Sequence, residues 1–232
     1  TLKNNFLNRK INYIKNSNLK ILHISTFDEK NDHRLFNISI ANKLTKGFIR
    51  NNHDVVNFSY RDFNNKLLIR NNKIINEKIY NISDNYKPDL ILLGHNNILD
   101  RETIERIKDK NKSKFALWYE DHLTKGGPNY FKNLDLIEKN EDLIDQYFLT
   151  IFPELIRTSI PKKKMNFMPI PADKNIENLE IYNSNNRYKD LFFALSHGVN
   201  YGKLKTRNID ERESFINELI KKNTKLTFNI LG

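Results

Sequence analysis

The chain is predicted to be α/β: a Rossmann-like parallel sheet forms an N-terminal domain, and the start of a second Rossmann-like domain follows it. Three observations carry this expectation. Short apolar runs such as Leu19 to Ser25 and Leu90 to Leu93 have the length and continuity of strands buried on both faces. Between such runs lie segments whose apolar residues recur every three or four positions, as Leu35, Ile38, Ala41, Leu44 and Phe48 do. Strand and helix patterns therefore alternate, which is the pattern of crossover-connected parallel strands.

Taken in order, the first strand is expected at Leu19 to Ser25, and the helix carrying Leu35 to Phe48 ends at the Asn51, Asn52 turn. A second strand runs from Asp54 to Tyr60. Lys87-Pro88-Asp89 then introduces the most apolar strand, Leu90 to Leu93, which Gly94 stops. Asp100 is the expected N-cap of a helix containing Ile104 and Ile107, because a short acceptor side chain there satisfies free helix N–H groups. A strand at Phe115 to Tyr119, a helix with Leu134, Ile137 and Ile144, and strands at Tyr147 to Phe152 and Met165 to Ile170 complete the domain. Its expected extent is 1–173. Residues 174–189 are Asn-rich and weakly periodic and are expected to be a linker. Residues 190–232 carry a strand at Asp190 to Leu195, a helix with Phe215, Ile216, Leu219 and Ile220, and a strand at Leu226 to Leu231. They are expected to be the first βαβ unit of a truncated C-terminal domain, since one such unit leaves its sheet uncovered.

Composition narrows the functional classes. The 232 residues include 39 Lys and Arg against 28 Asp and Glu, so the formal net charge is 39 − 28 = +11. Lysine, asparagine and isoleucine are abundant, as an AT-rich coding sequence would make them. The basic residues are also dispersed, with Lys162 to Lys164 the one tight block, so nucleic acid is not the expected partner. Cysteine is absent, which excludes disulfides, thiolate nucleophiles and Cys-ligated metal sites. No apolar run approaches the roughly 20 residues that cross a bilayer. A cytoplasmic protein is expected, with peripheral contact at the inner face of the membrane compatible with the sequence.

Ligands of open parallel sheets bind beyond the carboxyl ends of the strands. Polar residues collect there after three strands. The first is followed by Asp32, His33 and Arg34, the most apolar one by His95 and Asn96, and the next by Glu120, Asp121 and His122. A metal centre from His33, His95, His122 and Asp121 is chemically possible, but no short ligand spacing supports it, and none is expected. The loop from Thr26 to Leu35 has no glycine, which disfavours a dinucleotide fingerprint, and no P-loop occurs. A second candidate site follows the strand at Asp190. There Ser196, His197 and Gly198 lead to Lys203, Lys205 and Arg207, with Arg212 at the start of the next helix, a combination suited to a diphosphate.

The stretches from Gly47 to Asp62 and from Lys87 to His95, the run Trp118-Tyr-Glu-Asp121, and Phe192 to Gly198 with Asp210-Glu-Arg-Glu213 together resemble the CgeB-like, spore-maturation-type family of glycosyltransferases. The resemblance rests on the succession of these segments from the first strand to Gly232. It implies a GT-B architecture, in which two Rossmann-like domains face each other across a cleft. It implies a nucleotide-sugar donor as co-substrate, no other cofactor, and a cell-envelope or spore-surface glycan as acceptor. By residue, it implies that Asp32, His33, Arg34, Asn96, Glu120 and His122 face the acceptor and that His95 and Asp121 are catalytic. Ser196, His197, Gly198, Lys203, Lys205, Arg207 and Arg212 would hold the donor diphosphate. The resemblance further implies that this piece alone turns over little, because later donor-side segments are not in it. Two competing expectations remain: a non-catalytic Rossmann-like module that binds a glycan or a protein, and a metal-dependent hydrolase.

Overall fold

A computed structural model describes residues 18–27, 39–60, 62, 72–94, 98–127, 129–175, 177–178, 189–194 and 211–231. The chain divides into two compact units, 1–177 and 178–232.

Unit 1 is a six-stranded, wholly parallel sheet in the order β2-β1-β3-β4-β5-β6. The strands are β1 (Lys20–Ser25), β2 (Asp54–Ser59), β3 (Leu90–Gly94), β4 (Lys114–Tyr119), β5 (Gln146–Leu149) and β6 (Met165–Phe167). β1, β3 and β4 are buried along almost their whole length, as strands covered on both faces must be. The helices are α1 (Ile40–Arg50), α2 (Asn72–Tyr86), α3 (Arg101–Asn111) and α4 (Tyr130–Glu138). The main core lies on one face, where Leu22, Ile24, Ile91, Leu93, Phe115, Leu117 and Tyr147 meet Ile75 and Ile79 of α2, Ile104 and Ile107 of α3 and Ile137 of α4. The opposite face is thinner: Leu92, Ala116 and Trp118 pack with Ile40, Leu44 and Phe48 of α1. Helices on both faces and an all-parallel sheet make unit 1 Rossmann-like.

Local chemistry sets the helix ends. The Ser39 hydroxyl accepts the Asn42 N–H at 3.3 Å to start α1, a cap without a sequence expectation, and the Asp100 carboxylate accepts the Thr103 N–H at 2.8 Å to start α3, the cap that the sequence predicts. α3 stops where Lys112 turns left-handed at φ 58° and its N–H donates back to the Lys108 carbonyl at 3.0 Å.

Several boundaries differ from expectation. α2 had no sequence expectation at all. α4 ends at Glu138, because Asn140 turns to φ 61°. Ile144 reaches the same core from a turn rather than from a helix. β5 stops at Leu149 and β6 at Phe167, shorter than the apolar runs suggest. Phe152 lies beyond β5 and stacks on Phe167 at 4.3 Å between ring centroids. The only tight basic block is largely used in folding. The Lys162 ammonium donates to the Pro153 and Ile156 carbonyls, both at 2.5 Å, and that of Lys164 to the Glu141 and Ile144 carbonyls at 2.7 and 2.8 Å.

Unit 2 contains β7 (Leu191–Ala194) and β8 (Phe228–Leu231), paired in parallel, and α5 (Glu211–Lys222). The Asp190 carboxylate ties the two strands at one end by accepting the Thr227 N–H at 2.7 Å and its hydroxyl at 2.8 Å. Phe192, Phe215 and Ile230 are exposed.

Candidate functional site

The strand order places β2 on one side of β1 and β3 to β6 on the other, so the direction of winding reverses between β1 and β3. At such a switch point the connections leave toward opposite faces, and a crevice opens outside the carboxyl ends of the strands. Here the switch point falls at Ser25 and Gly94, the last residues of β1 and β3. The two residues approach so closely that a Cβ on Gly94 would come to 3.0 Å of the Ser25 Cβ and nearer still to its hydroxyl. Beside Gly94 in register stands Trp118, whose buried indole N–H finds no acceptor among the described residues.

On the β2 side of the same edge, the Ser59 hydroxyl accepts the Phe27 N–H at 3.2 Å and donates to the buried Asp62 carboxylate. On the far side, Asn76 of α2 holds the turn that follows residues 95–97. Its amide donates to the Ile98 carbonyl at 3.0 Å, and its carbonyl accepts the Asp100 N–H at 3.0 Å. Ser59, Asp62 and Asn76 carried no sequence expectation. Asn76 sits one position after Ile75 on the buried face of α2, and a polar residue on such a face is the signal that would have identified it.

β4 delivers Glu120, Asp121 and His122 to this edge. Glu120 is half-buried and its carbonyl accepts the Thr150 hydroxyl at 3.1 Å, while Asp121 and His122 are exposed. The Tyr119 phenol is pushed up by burial and, next, by the Asp121 carboxylate charge and hydrogen bond. His122 is locked in place. Its carbonyl accepts the Asn133 amide at 3.0 Å, and its Nδ1 accepts the Thr124 N–H at 3.3 Å, leaving the ring proton of the neutral form on Nε2. The ring lies so close over Gly127 that any side chain there would overlap it, and the preceding Gly126 adopts φ 92°.

Of the other expected site residues, Asp32, His33, Arg34, His95 and Asn96 lie outside the described residues. So do Ser196, His197, Gly198, Lys203, Lys205 and Arg207, while Arg212 is described only as part of the α5 backbone. What the fold supplies is adjacency. β1, β3 and β4 are consecutive in the sheet, so the segments that leave them, with His33, His95 and His122, depart from three neighbouring strands. Among the described residues no group of three or more His, Asp or Glu side chains is placed to hold a metal ion.

A separate depression of about 640 Å³ lies at the opposite, amino-terminal end of the sheet, lined by Asp84, Asn85, Lys87, Lys110 and Asn111. The Lys110 ammonium pairs with Asp84 at 2.7 Å within it. Its one carboxylate is thus already paired, and it lies away from the carboxyl edge.

The fold defines a doubly wound α/β protein with the strand order 2-1-3-4-5 extended by a sixth strand. No protein-family model and no curated protein matches the chain.

Proposed function

We propose that the chain is the acceptor-side half, with the beginning of the donor side, of a glycosyltransferase that moves a sugar from a nucleotide-sugar to a cell-envelope or spore-surface glycan. The observation that carries this reading is the switch point at Ser25 and Gly94, next to which β4 presents Asp121 and His122. The resemblance of the segments that end β3, β4 and β7 to a glycosyltransferase family supports it. In this reading the acceptor hydroxyl loses its proton to His95 or Asp121 as it attacks the anomeric carbon. The departing nucleoside diphosphate would be stabilised by Lys203, Lys205, Arg207 and Arg212 and by backbone N–H groups around Gly198. The reaction would take place in the cytoplasm, with the glycan acceptor reached at the inner face of the membrane.

A panel of UDP-, GDP- and dTDP-sugars, titrated calorimetrically into the protein together with any sequence that follows Gly232 in its gene, tests this. The expected result is binding of one donor class, with Asp121→Ala leaving donor affinity intact and lowering transfer by roughly 10²- to 10⁴-fold. Failure of every donor to bind overturns the reading. A second reading, a glycan- or protein-binding module without catalysis, is favoured by the exposure of Asp121 and His122. It predicts that Asp121→Ala leaves in vivo function intact.

A further inference from the structure

Beyond β6 the chain folds back along α1, all within unit 1. Asp173 is buried there with both carboxylate oxygens on Arg50, Nη1 to Oδ1 at 2.9 Å and Nη2 to Oδ2 at 3.3 Å. Its Oδ1 also accepts the Asn175 N–H at 3.0 Å, and its carbonyl accepts the Glu177 N–H at 2.8 Å, closing a single helical turn. Glu177 returns the contact, because its Oε2 accepts the Asp173 N–H at 2.7 Å while its Oε1 pairs with the Lys43 ammonium. Lys43 and Arg50 lie about two turns apart on α1. Two cations on one helix thus each hold one carboxylate, and the carboxylates are braced to each other through the backbone.

A solitary surface ion pair would do little, since water screens it and side-chain entropy opposes it. This arrangement differs in two respects. The Arg50 pair is bidentate on a buried acid, and the Lys43 side chain is only 8% exposed. Removing Arg50 leaves the buried Asp173 carboxylate without its countercharge, and removing Glu177 does the same to the Lys43 ammonium.

We propose that the 173–177 turn is a strap that makes α1 and the chain leaving unit 1 move as one body, so that whatever follows pivots from Asn178 rather than from the end of β6. This does not depend on the glycosyltransferase reading.

Hydrogen exchange measured by mass spectrometry on the wild type, Arg50→Ala, Asp173→Asn and the double variant tests the strap. In the wild type the amides of Asn175 and Glu177 are expected to be protected. Each single substitution is expected to raise exchange there and in the last turn of α1 by about tenfold or more, the scale of one lost charge-assisted hydrogen bond, and the double variant to add nothing further. Thermal unfolding confirms that each variant is folded. Should Arg50→Ala fail to fold, Arg50→Lys and Lys43→Met replace it, with smaller rises at the same amides. Free-peptide exchange at Asn175 and Glu177 in the wild type overturns the proposal. So does a rise confined to the turn with α1 unchanged, or single effects that multiply in the double variant.

Discussion

At the scale of single residues, His23 shows how a polar group is accommodated in the thin layer beneath α1. Its Nδ1 lies 2.9 Å from the Thr45 hydroxyl, which in turn donates to the Asn57 side-chain Oδ1 at 2.9 Å, so the hydroxyl oxygen accepts and the histidine proton sits on Nδ1. The ring packs edge-on against Phe27 and Phe48. Burial pushes its pKa down to about 3 from the ordinary 6.5. Between those values the unfolded chain binds a proton that the folded one does not. This contribution to stability is therefore complete above pH 6.5 and is lost as pH falls toward 3. The slope approaches about 1.4 kcal/mol per pH unit below 6.5. Urea titrations at pH 7, 6 and 5 check this, since carboxylates with lowered pKa values respond mostly below that range. His23→Gln is expected to flatten the dependence, and an unchanged slope in that variant would count against the assignment.

At the scale of elements, β1 and β3 meet at the sheet edge through the close approach of Ser25 and Gly94. Gly94→Ala is expected to cost about 1–3 kcal/mol, because the new methyl overlaps Ser25 and the two central strands cannot separate without breaking their ladder. Denaturant titration measures the loss, and Ser25→Gly added to Gly94→Ala is expected to recover part of it. The elements differ in how far the sequence reveals them. β1, β3 and β4 are legible as continuous apolar runs, and α3 is legible from its Asp100 cap and its Ile104 and Ile107 spacing. α2 is not, because asparagine, a poor helix former, recurs at positions 72, 76, 81 and 85. Its stability comes from Ile75 and Ile79 in the core and from Asn76 bonding to the 98–100 turn, contacts that exist only once β3 is in place. The candidate site divides in the same way. Polar residues after strands are visible in sequence, whereas the neighbourhood of β1, β3 and β4 depends on strand order, which local patterns do not encode.

At the scale of the whole molecule, the net charge of +11 overstates the cationic character available to a partner. Lys162 and Lys164 hold backbone carbonyls, and Lys43, Lys108 and Lys110 hold carboxylates. The two units also differ in how much they bury. Unit 1 has a continuous core, whereas Ile216 is the one buried hydrophobic side chain among the described residues of unit 2. Unfolding in urea is therefore expected to be non-coincident between probes. The single tryptophan, Trp118, reports on the unit 1 sheet alone, while far-ultraviolet circular dichroism also records α5. The dichroism is expected to begin falling at lower urea than the tryptophan emission, and superimposable curves would show that the units melt together.

The strand order has a further meaning when the chain is considered as it emerges from the ribosome. β2 and then β3 are laid against the two sides of β1, and from β4 onward every strand is laid against the one made before it, β4 on β3, β5 on β4 and β6 on β5. The sheet can therefore be assembled by accretion at one growing edge, in the order of translation, without a finished pair ever opening to admit a late strand. Parallel sheets are ordinarily slow to form and exposed to aggregation while they do so. In this topology each nascent strand meets a template already in place.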